Sequence, residues 1–116
     1  MKRSNEPFWW SLFSAGGVVA AVLTPIFVLL TGIAGPLGWL PAGALDYDKV
    51  HRLVSHPLSK LVLLALIALS LFHWAHRFRF TLFDLGIRGG RAPVAVLCYG
   101  SAIVGTITTI VVLCKI

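Results

Sequence analysis

Charge is scarce in this chain. Only 12% of its 116 residues are charged, where soluble domains carry about 25%. Lipid is therefore its main solvent. Four residues are acidic, Glu6, Asp46, Asp48 and Asp84, and none lies inside an apolar run. Proton-coupled transporters need an ionisable group at membrane depth, so this absence weighs against the small multidrug transporters that the length would suggest. Cysteine is limited to Cys98 and Cys114, with no C-x-x-C, which excludes a zinc or redox dithiol motif. On one helix these two are separated by about 24 Å at ~1.5 Å per residue, too far to form a disulfide, and they read as packed thiols. The net charge of +6 sits at the edges of the apolar runs. It suits anionic headgroups and leaves no basic, aromatic surface for nucleic acid.

Three runs have the roughly 20 apolar residues that a spanning helix needs, at about 8–34, 58–80 and 93–113. Each helix must satisfy its own backbone in lipid. The fold class is all-α membrane protein, one domain over 1–116. It has three transmembrane helices, with a short interfacial helix between the first two. The first run is too long for a signal-peptide core and is expected to stay as a span. Pro25 frees the carbonyl of Ala21, predicting a kink that Thr24 would help to satisfy. Gly35, Pro36, Gly38 and Pro41 stop the first helix. Leu45 to His56 reads as the interfacial helix, with Asp46 at its N-cap and Val50, Leu53 and Val54 as its apolar stripe. The second linker is read as Arg77 to Ala92, with Pro93 in the first turn of the third span.

Lys2, Arg3, Arg77, Arg79, Arg88 and Arg91 fall on one side of the membrane, six against the four of Lys49, Arg52, Lys60 and Lys115. The positive-inside rule puts the N-terminus in the cytoplasm. Small residues four apart (Gly16 and Ala20, Gly17 and Ala21, Ser101 and Gly105, Ala102 and Thr106) mark faces where helices approach closely, within this chain or against a second membrane subunit.

His73 and His76 share one face of the second span, and the other spans hold no histidine. A bis-histidine haem within this chain is excluded, and an imidazole shared with a partner chain stays open. No third ligand accompanies the pair, so no metal site is expected. What remains is the cytoplasmic edge: Trp9 and Trp10 opening the first span, and His76, Arg77 and Arg79 closing the second. A quinone needs an apolar slot with hydrogen-bond donors at its carbonyl oxygens, and indole, imidazole and guanidinium all donate. The same residues also serve as ordinary interface aromatics and snorkelling arginines.

The string Lys2-Arg3-Ser4-Asn5-Glu6-Pro7, Phe8-Trp9-Trp10 and Leu12-Phe13-Ser14-Ala15-Gly16-Gly17 resembles the start of the D subunit of bacterial fumarate reductase. The similarity continues through Pro36-Leu37-Gly38 and Gly43-Ala44-Leu45-Asp46-Tyr47, and resumes at His76-Arg77 and Asp84-Leu85. The resemblance implies a three-span anchor of quinol:fumarate oxidoreductase in the bacterial inner membrane. Its partners would be a flavoprotein subunit, an iron–sulfur subunit and the membrane-embedded C subunit. Flavin and iron–sulfur clusters would lie in those partners, with no haem in this chain. The cofactor implied here is menaquinone, at a shared site to which Trp10, His76 and Arg77 contribute. Trp10 is preferred to Trp9 because it lies two residues before Leu12 in the motif. Further histidines of the family are replaced by Arg79, Phe80 and Phe83, so proton handling by a histidine cluster does not carry over. Arg79 is expected at a lipid phosphate or the iron–sulfur subunit. A purely structural anchor and a small transporter are the competing readings.

Overall fold

The computed structural model describes residues 3–116, so Lys2 of the charge count and the opening motif lies outside the described residues. Helix α1 spans Glu6–Val28 and continues as a π-helical segment, Leu29–Ala34. A short helix α2 covers Tyr47–Ser55, α3 covers Pro57–Asp84 and α4 covers Arg91–Lys115. Among the described residues three helices are long and apolar enough to cross a membrane: Glu6–Ala34, Pro57–Asp84 and Arg91–Lys115. At ~1.5 Å per residue each exceeds the ~30 Å hydrocarbon core, so the helix ends reach headgroup depth. The protein is thus an all-helical, multi-pass membrane protein with a short helix between its first two spans.

Helix α3 is the central element. It packs against both α1 and α4, and α2 leans on its beginning. Lipid-soluble bundles gain little from apolar burial between helices and hold together by close backbone approach. Most of the buried positions are accordingly small, with Leu66 and Leu113 the exceptions. Ala75, Cys98 and Ala102 form a cluster between α3 and α4, with Ala75 and Ala102 fully buried. Gly16 of α1 is buried where a methyl group would lie 2.6 Å from the Leu69 carbonyl oxygen of α3. The small-residue faces at Gly16, Gly17, Ala102 and Gly105 are spent inside this chain, whereas Ala21 and Ser101 are exposed. Cys98 is packed as expected and Cys114 is exposed, both as free thiols.

Three boundaries differ from the sequence reading. Helix α3 runs four residues past Phe80 because nothing breaks it until Gly86. There the chain takes φ 97° and closes the helix with Gly86 N–H on the Phe83 carbonyl and Ile87 N–H on that of Leu82. Arg77 and Arg79 lie within the helix, as a span of 58–80 expects, and the linker starts after Asp84 rather than at Arg77. Secondly, α1 widens after Pro25, with Gly35 N–H reaching the Leu30 carbonyl at 3.0 Å. The hydroxyl that bonds the backbone in this stretch is that of Thr31, on the Phe27 carbonyl at 2.7 Å, rather than that of Thr24. Lastly, α2 is shorter than 45–56. Asp46 holds its N-cap position without a side-chain cap, and His56 starts α3 instead, its Nδ1 accepting from Leu58 N–H at 3.2 Å. Pro93 falls in the first turn of α4, after Gly90 at φ 82°.

Candidate functional site: an aromatic and histidine cavity at one end of the bundle

Trp10 and His76, from residues far apart in sequence, come together where α1 crosses α3. Their ring centroids are 6.1 Å apart at 79°, an edge-to-face contact. Both line a cavity of about 430 Å³ with Phe13 of α1, Leu69 and His73 of α3, and Tyr99 of α4. Trp9 and Leu12 extend its wall along α1. The lining is almost wholly apolar, with polarity concentrated in the two imidazoles, the indoles and one phenol.

Spacing explains the assembly. His73 and His76 lie one turn apart and face the same way. Phe13 lies three residues after Trp10 and fills the gap between them, stacked on His73 at 4.3 Å and 11° and tilted against His76 at 4.6 Å. The His73 ring packs beside Gly17, where a methyl group would stand 2.6 Å from its Cε1. A side chain at that glycine would push the imidazole aside. Two hydrogen bonds fix the rings: His73 Nδ1 with the Phe13 carbonyl oxygen at 3.0 Å, and His76 Nδ1 with the Tyr99 hydroxyl at 2.8 Å. One joins α3 to α1 and the other joins α3 to α4.

Arg77 is not brought into this group. Its side chain is exposed, and it does not line the cavity. Arg79 is half-buried, its guanidinium 5.0 Å from the Phe80 ring centre and 5.8 Å from that of Tyr99. Its Nε is buried without a hydrogen-bond partner. Phe80 closes on His76 at 5.0 Å, edge to face. Three members of the cavity wall, Phe13, His73 and Tyr99, are not among the site residues that the sequence suggests. The shared face of His73 and His76 was a signal for one of them. Tyr99 has none, since only tertiary packing carries α4 to His76.

Three spanning helices with an aromatic, polar-tipped cavity at one end define a small multi-pass membrane protein. The particular family follows from comparison. The family model of the fumarate reductase D subunit matches residues 1–114. The fumarate reductase D subunit of Mycobacterium tuberculosis strain H37Rv is 50% identical over 109 residues, covering 92% of this chain and 85% of that protein. The Vibrio cholerae protein of the same name is 43% identical, covering 87% and 77%. That of a Shewanella species is 39% identical, covering 94% and 90%. This chain belongs to the family of fumarate reductase D subunits, and so is a membrane subunit of a multi-subunit complex.

Proposed function

We propose that this chain tethers the flavoprotein and iron–sulfur subunits of quinol:fumarate reductase to the cytoplasmic face of the bacterial inner membrane, and that its cavity is part of the menaquinol site. The observation that carries the reading is the meeting of Trp10 and His76 at one apolar cavity whose size and lining suit a quinone ring. The quinol supplies two electrons, which leave through an iron–sulfur cluster of the partner subunit to reduce fumarate at the flavin. The chain's own residues do simpler work. Phe13, Leu69 and the indoles exclude water from the ring. The Trp10 indole N–H and the His76 imidazole give the oxygens of the ring a polar partner. Arg77, exposed one residue beyond His76, contributes its guanidinium to the quinone site in the assembled complex. Arg79 serves lipid phosphate or the iron–sulfur subunit. The exposed faces of α1 and α4, including Ala21 and Ser101, are open to the C subunit.

With six of the ten basic residues on the side of the N-terminus, that end lies in the cytoplasm, next to the soluble subunits. The test is gentle purification of the tagged chain from its native membrane, with the eluate assayed for covalent flavin, iron and quinol-dependent fumarate reduction. All three are expected to co-elute. In that complex Trp10→Phe, His76→Ala and Arg77→Leu are expected to lower quinol oxidation while assembly and fumarate reduction with an artificial dye donor persist. Normal quinol turnover in all three variants would move the quinone to another subunit and leave this chain a structural anchor.

A further inference from the structure

Arg79 and Phe80 follow His76 by three and four residues on α3, so the three share one face of the helix. Tyr99 meets that face from α4, its hydroxyl 2.8 Å from His76 Nδ1. An imidazole turns about a soft terminal torsion with no sharp staggered well. The contacts of His76 with Trp10, Phe13 and Phe80 are between rings and direct it only broadly. A hydrogen bond is directional, so the Tyr99 hydroxyl decides how the imidazole is turned, whichever of the two atoms donates. Tyr99 is itself half-buried, packed at its base against the cluster of Ala75, Cys98 and Ala102. Over its ring lies the Arg79 guanidinium, 5.8 Å from the ring centre. The same guanidinium lies 5.0 Å from the centre of the neighbouring Phe80 ring. Both distances fall within the roughly 6 Å over which the face of an aromatic ring attracts a cation. Arg79 Nε is buried, and desolvation strengthens such an attraction. His76 and Tyr99 line the cavity, whereas Arg79 does not.

We propose that Arg79 is a positioning residue of the cavity: its guanidinium, bedded on Phe80, holds the Tyr99 phenol against His76 and so sets the imidazole that faces the ligand. This inference rests on the quinone-site reading. A guanidinium has a flat face and an N–H edge, and the two do different work. The face lies on the rings of the site, while the edge stays free to serve an anion outside the bundle. Arg79 thus acts on the ring of a bound quinone through Tyr99 and then His76, without touching it.

Two measurements on the purified complex test this. The first needs no bound quinone. Complex labelled with 15N-histidine and 13C-tyrosine and washed free of quinone is examined by solid-state correlation spectroscopy, the cross-peak between His76 and Tyr99 being assigned by its loss in Tyr99→Phe. Arg79→Met and Arg79→Gln both remove the cation and keep an unbranched stem, so either one that assembles carries the test. Each is expected to weaken the cross-peak by about half, and Arg79→Lys, which returns a cation, to restore part of it. A cross-peak unchanged in the neutral variants would overturn the proposal. The second is turnover of a short-chain naphthoquinol at low concentration, which reports kcat/KM, taken relative to dye-driven fumarate reduction in the same preparation. The neutral Arg79 variants are expected to lower this ratio by about fivefold, the loss of one cation–ring contact. Combined with Tyr99→Phe they are expected to lower it no further than Tyr99→Phe alone, because both changes remove the same link. Losses that multiply, to about 25-fold, would overturn the proposal and leave Arg79 acting only through lipid or the iron–sulfur subunit. A ratio unmoved by His76→Ala and Tyr99→Phe would remove the quinone-site reading, and this role with it.

Discussion

The polar side chains of the middle and end of α4 and those of α3 near the cavity solve the same problem in opposite ways. Ser101, Thr106, Thr108 and Thr109 each donate to the carbonyl four residues back in their own helix, at 2.6 to 2.8 Å. Such hydroxyls are satisfied locally and ask nothing of a neighbour. His73 and His76 instead bond to other helices. Among the described residues theirs are the side-chain hydrogen bonds that join one helix to another, and both lie at the same end of the bundle. A polar group in lipid must find a partner. Where it finds one on a neighbouring helix, it also fixes which helices meet and at what height. The cavity end is specified by chemistry as well as by shape, whereas the rest of the bundle relies on close contact of small residues.

The largest effect that separates the two regimes is steric. Gly16→Leu forces a side chain into the Leu69 backbone, and is expected to separate α1 from α3 and abolish recovery of the assembled complex on native gels. Gly17→Ala presses on the movable His73 ring instead. It is expected to keep the complex but to lower quinol oxidation by about tenfold, the equivalent of ~1.4 kcal/mol, read as turnover against dye-driven fumarate reduction. Tyr99→Phe deletes one interhelical hydrogen bond, worth about 1 kcal/mol, and is expected to cost about fivefold in quinol turnover. Thr108→Val removes a hydroxyl that is exposed and bonded to its own helix. It is expected to change thermal stability by less than ~0.5 kcal/mol and turnover not at all. A Thr108→Val effect as large as that of Tyr99→Phe would erase the distinction between local and interhelical bonds.

The spans were legible because lipid imposes a crude rule of some 20 apolar residues, and composition alone reveals it. Their ends were less so. Phe80 looks like an end because Arg77 and Arg79 come just before it, yet arginine is a good helix former and the stop lies at Gly86, where a left-handed turn is needed. The π-segment after Pro25 depends on backbone register, which hydropathy does not record. The family resemblance and the shared face of His73 and His76 pointed to the end of the bundle where the cavity lies. The pairing of Trp10 with His76 is a matter of how α1 crosses α3, and that of Tyr99 with His76 of how α4 does. Gly17 appeared as one of a pair of small residues for helix contact, but what it accommodates is an imidazole ring. Arg77, which the resemblance and its place beside His76 suggest, is exposed and outside the cavity lining, because adjacent residues on a helix face different directions.

The most direct test of the quinone reading is photolabelling of the assembled complex with an azido-naphthoquinone, followed by mass spectrometry of this chain. Label confined to the α1 stretch from Trp9 to Phe13 and the α3 stretch from Leu69 to His76, and competed away by unlabelled menaquinone analogue, is the predicted result. Label absent from both stretches, with full labelling of another subunit, would contradict it.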